Sequence, residues 1–389
     1  MFKNYFITAW RNLVNNKFYS FINVAGLAVG LSVGIMILLW VQDELSYDNF
    51  HANAQRIFKI NSHIPTGESE QVWSGSPSPL AVHAPAKIPE VEAAVRVRDN
   101  YDNALFTYGD KSFIGADFSS SRTAYVDPNF FTVFDFRLLK GNKAAPFQGS
   151  HSVILTASVA KKIFGNEDPV GKIVVGDKRD NFKVTGVIED FPTNSSVKYD
   201  MLFPMDMYGE RFTSSGGNGD WKTIDQDLGN FAYNIFLLLK PGASPQTVGK
   251  KLGDIYRGLR NDSDGKGYYT LQSLTDMHLY GADGNSSAMQ TVRIFILVSI
   301  FILIIACINY VNLSTARSIA RSKEVSVRKV IGAQKAQLFL QFVLESAILF
   351  LISAVLAIGI IRLLLPIYNE ISGKQLVFTL GSAKVWLVL

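Results

Sequence analysis

The sequence predicts an α-helical membrane protein with a large α+β extracytoplasmic domain set between its first two spans. Three observations predict it. Charge-poor apolar runs at Phe21–Val41, about Ile294–Ala316 and about Phe342–Leu365 are each long enough to cross a bilayer core. A polar block of mixed texture, residues 42–291, separates the first run from the second. The loop Arg317–Gln341 between the last two runs carries Arg317, Arg321, Lys323, Arg328, Lys329 and Lys335 against the single acid Glu324. Such Lys/Arg enrichment marks the cytoplasmic side.

Composition narrows the function. Hydrophobic residues make up 48% of the 389 and charged residues 18%, rich for a soluble protein. The net charge of +5 comes with no basic-aromatic motif, so nucleic acid is not an expected partner. The chain has 1 Cys, Cys307, which excludes an internal disulfide and a Cys-based metal site. Its 5 histidines show no H-E-x-x-H spacing.

Residues 1–20 place Phe2, Tyr5, Phe6, Ala9, Trp10 and Leu13 on one helical stripe, with Lys3, Asn4, Arg11, Asn12 and Lys17 on the other side. This reads as an amphipathic helix in the membrane interface, or else as a short soluble helix packed on a partner. The first span, 21–41, carries Gly26, Gly30 and Gly34 at four-residue spacing, a stripe on which another membrane helix can approach closely. The run is longer than a signal-peptide core and no A-x-A site follows it. Basic residues precede this span, and Asp43, Glu44 and Asp48 follow it. The N-terminus therefore belongs in the cytoplasm and the 42–291 block outside.

Within that block, Val91–Arg98, Arg122–Val126, Lys172–Val175, Phe182–Ile188 and Asn234–Leu239 read as strands. Ala157–Phe164 and Pro245–Leu259 read as helices, with breaks at Ser214–Asp220 and Asn261–Gly267. No parallel β-α-β rhythm is sustained, hence α+β. Gly165–Lys172, GNEDPVGK, lacks both the spacing of a phosphate loop and its Ser/Thr after Lys, and reads as a turn. The carboxylate pairs Glu167–Asp168 and Glu189–Asp190 read as solvated turns, and no G-x-S-x-G elbow is present. No enzyme chemistry is therefore expected.

The second span, 292–316, offers Asn309, Asn312 and Ser314 for bonds to other helices. It starts outside and ends inside, which places 317–341 in the cytoplasm a second way. In that loop Val327, Val330 and Ile331 share a helical face, Glu324 can pair with Arg328 four residues on, and Gly332 offers a break. The third span, 342–365, holds Glu345 and Arg362 near its two ends, close enough to snorkel, and Glu345 is also deep enough to bond a neighbouring helix. Residues 366–384 then form a short outer loop, and 385–389, VWLVL, read as the start of a fourth span. The sequence is accordingly expected to be a fragment, or one unit of a longer chain.

Several stretches resemble the MacB/FtsX/LolC–LolE class of ABC transporter permeases, the type VII or mechanotransmission transporters. They are Ser322–Ala333 (SKEVSVRKVIGA), Ser152–Pro204, Tyr47–Ile60 (YDNFHANAQRIFKI) and Phe130–Gly141 (FFTVFDFRLLKG). The N-terminal MFKNYFITAWRNLVNNKFYSFINVAGLAVG resembles Bacteroidetes-type members, which are often tandem permeases. The resemblance implies an inner-membrane, multi-pass protein with a MacB-like periplasmic core domain of two lobes, one inserted at about 146–230, followed by an FtsX-like domain at 292–389. It implies that 317–341 is a coupling helix, with Glu324, Val327, Arg328, Lys329, Ile331, Gly332 and Ala333 at or shaping the contact with a separate cytoplasmic ABC ATPase. That ATPase, not this chain, would bind ATP, so no cofactor is expected here. A second permease unit (a homodimer or a tandem half), a periplasmic adaptor and an outer-membrane channel are further implied partners, for efflux or export of a periplasmic or membrane substrate. An FtsX-like regulator of a cell-wall hydrolase would share this topology. A sensory receptor would need a cytoplasmic signalling region where the third span begins.

Overall fold

A computed structural model describes residues 11, 17–67, 69–100, 105–114, 123–261, 267–320, 326, 327, 330 and 335–378. The chain divides into two compact units: Met1–Leu45 with Met289–Leu389, which is helical, and Ser46–Ala288, built on a sheet. The helical unit begins with α1 (Lys17–Glu44). The expected interfacial helix at 1–20 and the expected fourth span at 385–389 lie outside the described residues, apart from Arg11 and 17–20 at the head of α1.

The sheet unit contains helices α2 (Pro79–Lys87), α3 (Phe130–Val133), α4 (Ala157–Phe164), α5 (Met205–Ser214) and α6 (Pro245–Arg260). Its strands are β1 (Ile57–Thr66), β2 (Ser69–Trp73), β3 (Val91–Asp99), β4 (Leu105–Tyr108), β5 (Lys111–Ile114), β6 (Thr123–Val126) and β7 (Leu138–Gly141). They continue with β8 (Ser152–Thr156), β9 (Ile173–Gly176), β10 (Asp180–Ile188), β11 (Met201–Pro204), β12 (Asn234–Leu239) and β13 (Tyr268–Ser273).

Among the described residues the 13 strands join one mixed sheet in the order β13-β1-β12-β3-β6-β11-β8-β10-β9-β4-β5, with β2 beside β1 and β7 beside β10. Pairing is antiparallel except β8 with β10 and β6 with β11. The segment expected to form an inserted lobe, 146–230, supplies the neighbouring strands β11, β8, β10 and β9. Strands β4 and β5, from earlier in the chain, close that edge, so the sheet passes from this region into the rest without a break.

Strand side chains alternate between two cores. On β12, Ile235, Leu237 and Leu239 join one core, and Phe236 and Leu238 the other. On β8, Val153 and Leu155 oppose Ile154 in the same way. This is why Asn234–Leu239 reads as an unbroken apolar run: both faces are covered. The first face lies under helices, through Leu80 and Ala84 of α2, Val159 and Ile163 of α4, Met205 and Met207 of α5, and Val248 and Leu252 of α6. An aromatic layer covers the second. Phe134 meets Phe236 edge to face at 5.0 Å, and Phe136 meets Phe191 at 4.4 Å. Each such pair adds about 0.5–1.5 kcal/mol beyond the area it buries. The break expected at Ser214–Asp220 is a tight turn in which Gly217 has φ +79, and a methyl there would stand 2.1 Å from the Trp221 carbonyl oxygen.

The chain returns to the helical unit through α7 (Ser287–Ala320) and ends its described part with α8 (Lys335–Ser372). With α1, both are long and apolar enough to cross a membrane. Each outruns the span read from the sequence. In particular α8 continues through Pro366, where an outer loop was expected. A proline costs one backbone bond inside a helix, and here the chain keeps helical geometry for a further turn before Gly373 (φ 65) ends it. The following segment folds back. The Asn369 side chain donates to the Leu376 carbonyl and accepts from the Leu376 N–H, each at 3.0 Å.

Candidate functional site

The glycine stripe of α1 faces α7. A methyl built on Gly26 would lie 2.9 Å from Asn309 Nδ2, one on Gly30 2.6 Å from Ala306 Cβ, and one on Gly34 3.0 Å from Leu303 Cδ2. At all three positions the missing side chain is what lets the helices approach. Ser299 Oγ, fully buried, donates to the Gly34 carbonyl oxygen at 3.2 Å. In hydrocarbon that bond removes an otherwise unsatisfied hydroxyl. The three-residue and four-residue spacings of Ser299, Leu303, Ala306 and Asn309 repeat the helical period, so the contact is a seam along both helices and not a single crossing point.

The third helix completes a small core. Leu27, Leu31 and Ile35 of α1 pack with Leu303 and Ala306 of α7 and with Ala357, Ile358, Ile361 and Leu365 of α8. Glu345 of α8, read as either snorkelling or bonding a neighbouring helix, is buried at 5% exposure, whereas Arg362 is exposed. Ser353 Oγ is tied back to the Leu349 carbonyl oxygen at 2.9 Å.

One end of this bundle carries a charge cluster that residue patterning missed. Lys374, just past α8, pairs with Asp43 and lies 2.6 Å from Glu44, and its ammonium lies 5.7 Å from the centre of the Trp40 ring. Trp40 packs on Phe295 of α7 at 4.8 Å. The two acids stand at the C-terminal end of α1, where the helix dipole opposes negative charge, so they depend on a cation. Burial disfavours the Lys374 ammonium, but its bonds to Asp43 and Glu44 outweigh this and raise its pKa above the ordinary lysine value. The available signal was a lysine after the third span and paired acids after the first. Nothing local to either pairs them. Lys374→Ala leaves two largely buried carboxylates side by side. It is expected to cost about 3 kcal/mol, seen as a lower unfolding temperature in detergent, with Lys374→Arg retaining most of the stability.

Of the residues read as the ATPase contact, Glu324, Arg328, Lys329, Ile331, Gly332 and Ala333 lie outside the described residues. Val327 is helical and 58% exposed, and its neighbour Val330 is 88% exposed. Apolar side chains this open suit a covered surface.

In the sheet unit the motifs set aside from the sequence have structural employment. Gly165 (φ 63) caps α4, and Lys172 bonds Glu167 and, at 2.9 Å, Tyr108. Asp190 caps α4 by accepting from the Ser158 N–H at 2.9 Å. Among the described residues no group of three His, Cys, Asp or Glu side chains is placed to hold a metal.

A membrane protein whose first two spanning helices flank a large α+β unit, and which is packed along a glycine seam, is the class that these features define. A family model for the MacB-like periplasmic core domain matches residues 20–255, and one for the FtsX-like permease C-terminal domain matches residues 296–389. The chain belongs to the ABC transporter permeases of the MacB/FtsX class. It is 26% identical over 262 residues to the macrolide export ATP-binding/permease protein MacB of Aggregatibacter actinomycetemcomitans, covering 66% of this chain and 36% of that one. It is 24% identical over 240 residues to an ABC transporter permease, YknZ, of Bacillus subtilis, covering 59% and 50%. The chain thus spans between about a third and half of the length of these relatives. Among solved structures, a domain of a permease protein from Porphyromonas gingivalis aligns at 22% identity and TM-score 0.45, covering 57% of this chain and 92% of that domain. The periplasmic region of MacB from Actinobacillus actinomycetemcomitans aligns at 18% and 0.40, covering 62% and 94%.

Proposed function

We propose that the chain is the permease subunit of an ABC transporter and passes ATP-driven motion to its Ser46–Ala288 unit. The seam between α1 and α7 carries this reading. These are the two helices through which the chain enters and leaves the sheet unit, and their close packing makes them move as one element. In this reading the N-terminus and the 317–341 segment are cytoplasmic and the sheet unit is periplasmic. A separate cytoplasmic ATPase docks on Glu324, Val327, Arg328, Lys329, Ile331, Gly332 and Ala333 and supplies the ATP chemistry. A second permease unit, as a homodimer or a tandem half, completes the membrane part. The work done is efflux or export of a periplasmic or membrane substrate, handed on through a periplasmic adaptor and an outer-membrane channel. The name of the MacB relatives, macrolide export, supports the export class.

The experiment reconstitutes the full chain with its co-purified ATPase in lipid nanodiscs and follows ATP hydrolysis. The reading requires that hydrolysis depend on residues of the 322–333 segment. ATP turnover indifferent to the permease, or to that segment, would exclude the docking.

A further inference from the structure

The chain enters the sheet unit through a segment that is clasped at several points. The Ser46 backbone carbonyl and hydroxyl both accept from Asn194 Nδ2, at 3.2 and 2.9 Å. The Tyr47 ring stacks on His278 at 3.4 Å and 3°. His278 belongs to the stretch that precedes α7. Asp48 is fully buried and has a φ of 57, a conformation that costs most residues energy and that Asp tolerates comparatively well. Its N–H donates to the Asn194 carbonyl at 3.0 Å, and its Oδ1 accepts from the Ser196 N–H at 2.8 Å and from Ser195 Oγ at 3.4 Å. Its Oδ2 is sealed from solvent with no partner among the described residues.

His51 follows at 4% exposure. Its Nδ1 lies 2.8 Å from Asp135 Oδ1, while Asp135 Oδ2 accepts from the Ala52 N–H at 3.0 Å. The imidazole is walled by Phe50, Phe134 and Phe136, with ring centres at 4.2, 5.5 and 4.9 Å. Its Nε2, like Asp48 Oδ2, is buried with no partner among the described residues. Among the described residues, the charged groups near the imidazole are Asp135, from the segment after α3, and Asp48, from its own turn. The 192–198 loop offers Asn194, Ser195 and Ser196, and its lysine, Lys198, is spent on the Thr193 carbonyl at 2.8 Å. Buried polar atoms rarely go unsatisfied, and two in one cluster, an acid and a base, mark a place where a proton decides the energy.

We infer that Asp48, set beside His51 and Asp135, makes a proton-dependent clasp, which holds the Ser46–Ala54 segment on the sheet unit while the Asp48 carboxyl keeps its proton and loosens when that proton leaves. With the proton present, the three groups carry one net negative charge. Without it they carry two, one on the fully buried Asp48 and one on the half-exposed Asp135. The two carboxyls are biased in opposite directions. Burial raises the pKa of Asp48, so its stabilising contribution belongs to its protonated form and fades as pH rises through the raised value. Asp135 goes the other way. Burial opposes its charge, yet the Ala52 and His51 hydrogen bonds prevail and lower its pKa, so its contribution is lost only as pH falls through the lowered value. The clasp therefore holds in a window bounded by acid at the lowered value of Asp135 and by base at the raised value of Asp48. That this window regulates coupling rests on the permease reading, whereas the clasp itself does not.

The test is amide hydrogen exchange of the full chain in lipid nanodiscs at about pH 5.5 and about pH 8, corrected for intrinsic rates, and it involves no ATPase. Protection of 46–54 is expected to fall about tenfold at the higher pH. Asp48→Asn, the neutral isostere, is expected to stay protected at both pH values. His63→Gln, at a second histidine–carboxylate pair (with Glu70), is expected to keep the wild-type response. Equal protection at both pH values in the wild type, or an undiminished response in Asp48→Asn, overturns the clasp. If Asp48→Asn does not fold, Asp135→Asn decides. Loss of that anion should move the loosening to lower pH, and an unmoved midpoint overturns the proposal. A failure here leaves ATPase coupling intact, and a failure of coupling leaves this pH response intact.

Discussion

Reversing both charges in Arg328→Glu with Lys329→Glu is expected to reduce permease-dependent ATP hydrolysis to that of the ATPase alone, while the protein still inserts and folds. The size follows from charge pairing at an interface. Removing one member of a desolvated pair costs about 2–5 kcal/mol, and reversal adds repulsion, so binding to the ATPase should weaken by at least about a hundredfold. Exposed pairs would give far less, about 0.2–1 kcal/mol each, and a response to salt. The comparison therefore also reports how deeply these residues sit in the contact. Circular dichroism and gel-filtration profiles like those of the wild type show that the loss is one of docking.

Substitution at Gly30 should break the membrane seam. Alanine in place of glycine gains about 0.8–1 kcal/mol of helix propensity. At Gly30 the new methyl would lie 2.6 Å from Ala306 Cβ, a separation that forces the backbones apart. Overpacking typically costs about 1–3 kcal/mol, and parting the helices also weakens the contacts at Gly26 and Gly34, so the clash outweighs the gain. Gly30→Leu should be worse, abolishing both stable folding in detergent and coupling. Two comparisons make the mechanism visible in thermal unfolding. Ala306→Gly removes the opposing methyl and leaves the Ala306 backbone 3.9 Å away, so Gly30→Ala with Ala306→Gly should recover most of the loss. Gly359→Ala, on α8, meets nothing within 4 Å and should be neutral or stabilising. Additive effects of Gly30→Ala and Ala306→Gly would mean the seam is not where the stability lies.

The membrane helices were legible because hydrocarbon imposes length and absence of charge, both of which a sequence displays directly. Their ends were less so. Pro366 reads as a stop, yet α8 passes through it, since one lost backbone bond is small beside the apolar surface on either side. The glycine spacing gave the face of α1 but not its partner. That Ala306 and not a residue of α8 stands against Gly30 is a tertiary fact. In the sheet unit, Asn234–Leu239 and Ala157–Phe164 were legible from an apolar run and a strong helical stripe. Strand β1 was not, because its polar Asn61, Ser62 and His63 resemble loop residues. They bond to Gln272, Ser76 and Thr270 at 3.1, 2.8 and 2.8 Å, partners distant in the sequence. Helix α2 hides behind Pro79 and Pro85. Long-range charge pairs such as Lys374 with Glu44, and the Asp48–His51–Asp135 cluster, leave no local pattern at all.

In the proposed mechanism ATP turnover moves the Ser46–Ala288 unit. Electron–electron distance measurements on the full chain bound to its ATPase in nanodiscs detect that motion. One spin label is placed at exposed Lys143→Cys in the sheet unit and the other at exposed Gln290→Cys in α7, with Cys307 replaced by serine. Domain motions driven by rigid helices move such sites by several ångström. The distance distribution is expected to shift by about 5 Å or more between the nucleotide-free and ATP-trapped states, and the shift to disappear in Arg328→Glu with Lys329→Glu. Superimposable distributions in the two nucleotide states, with hydrolysis running, would contradict the proposed mechanism.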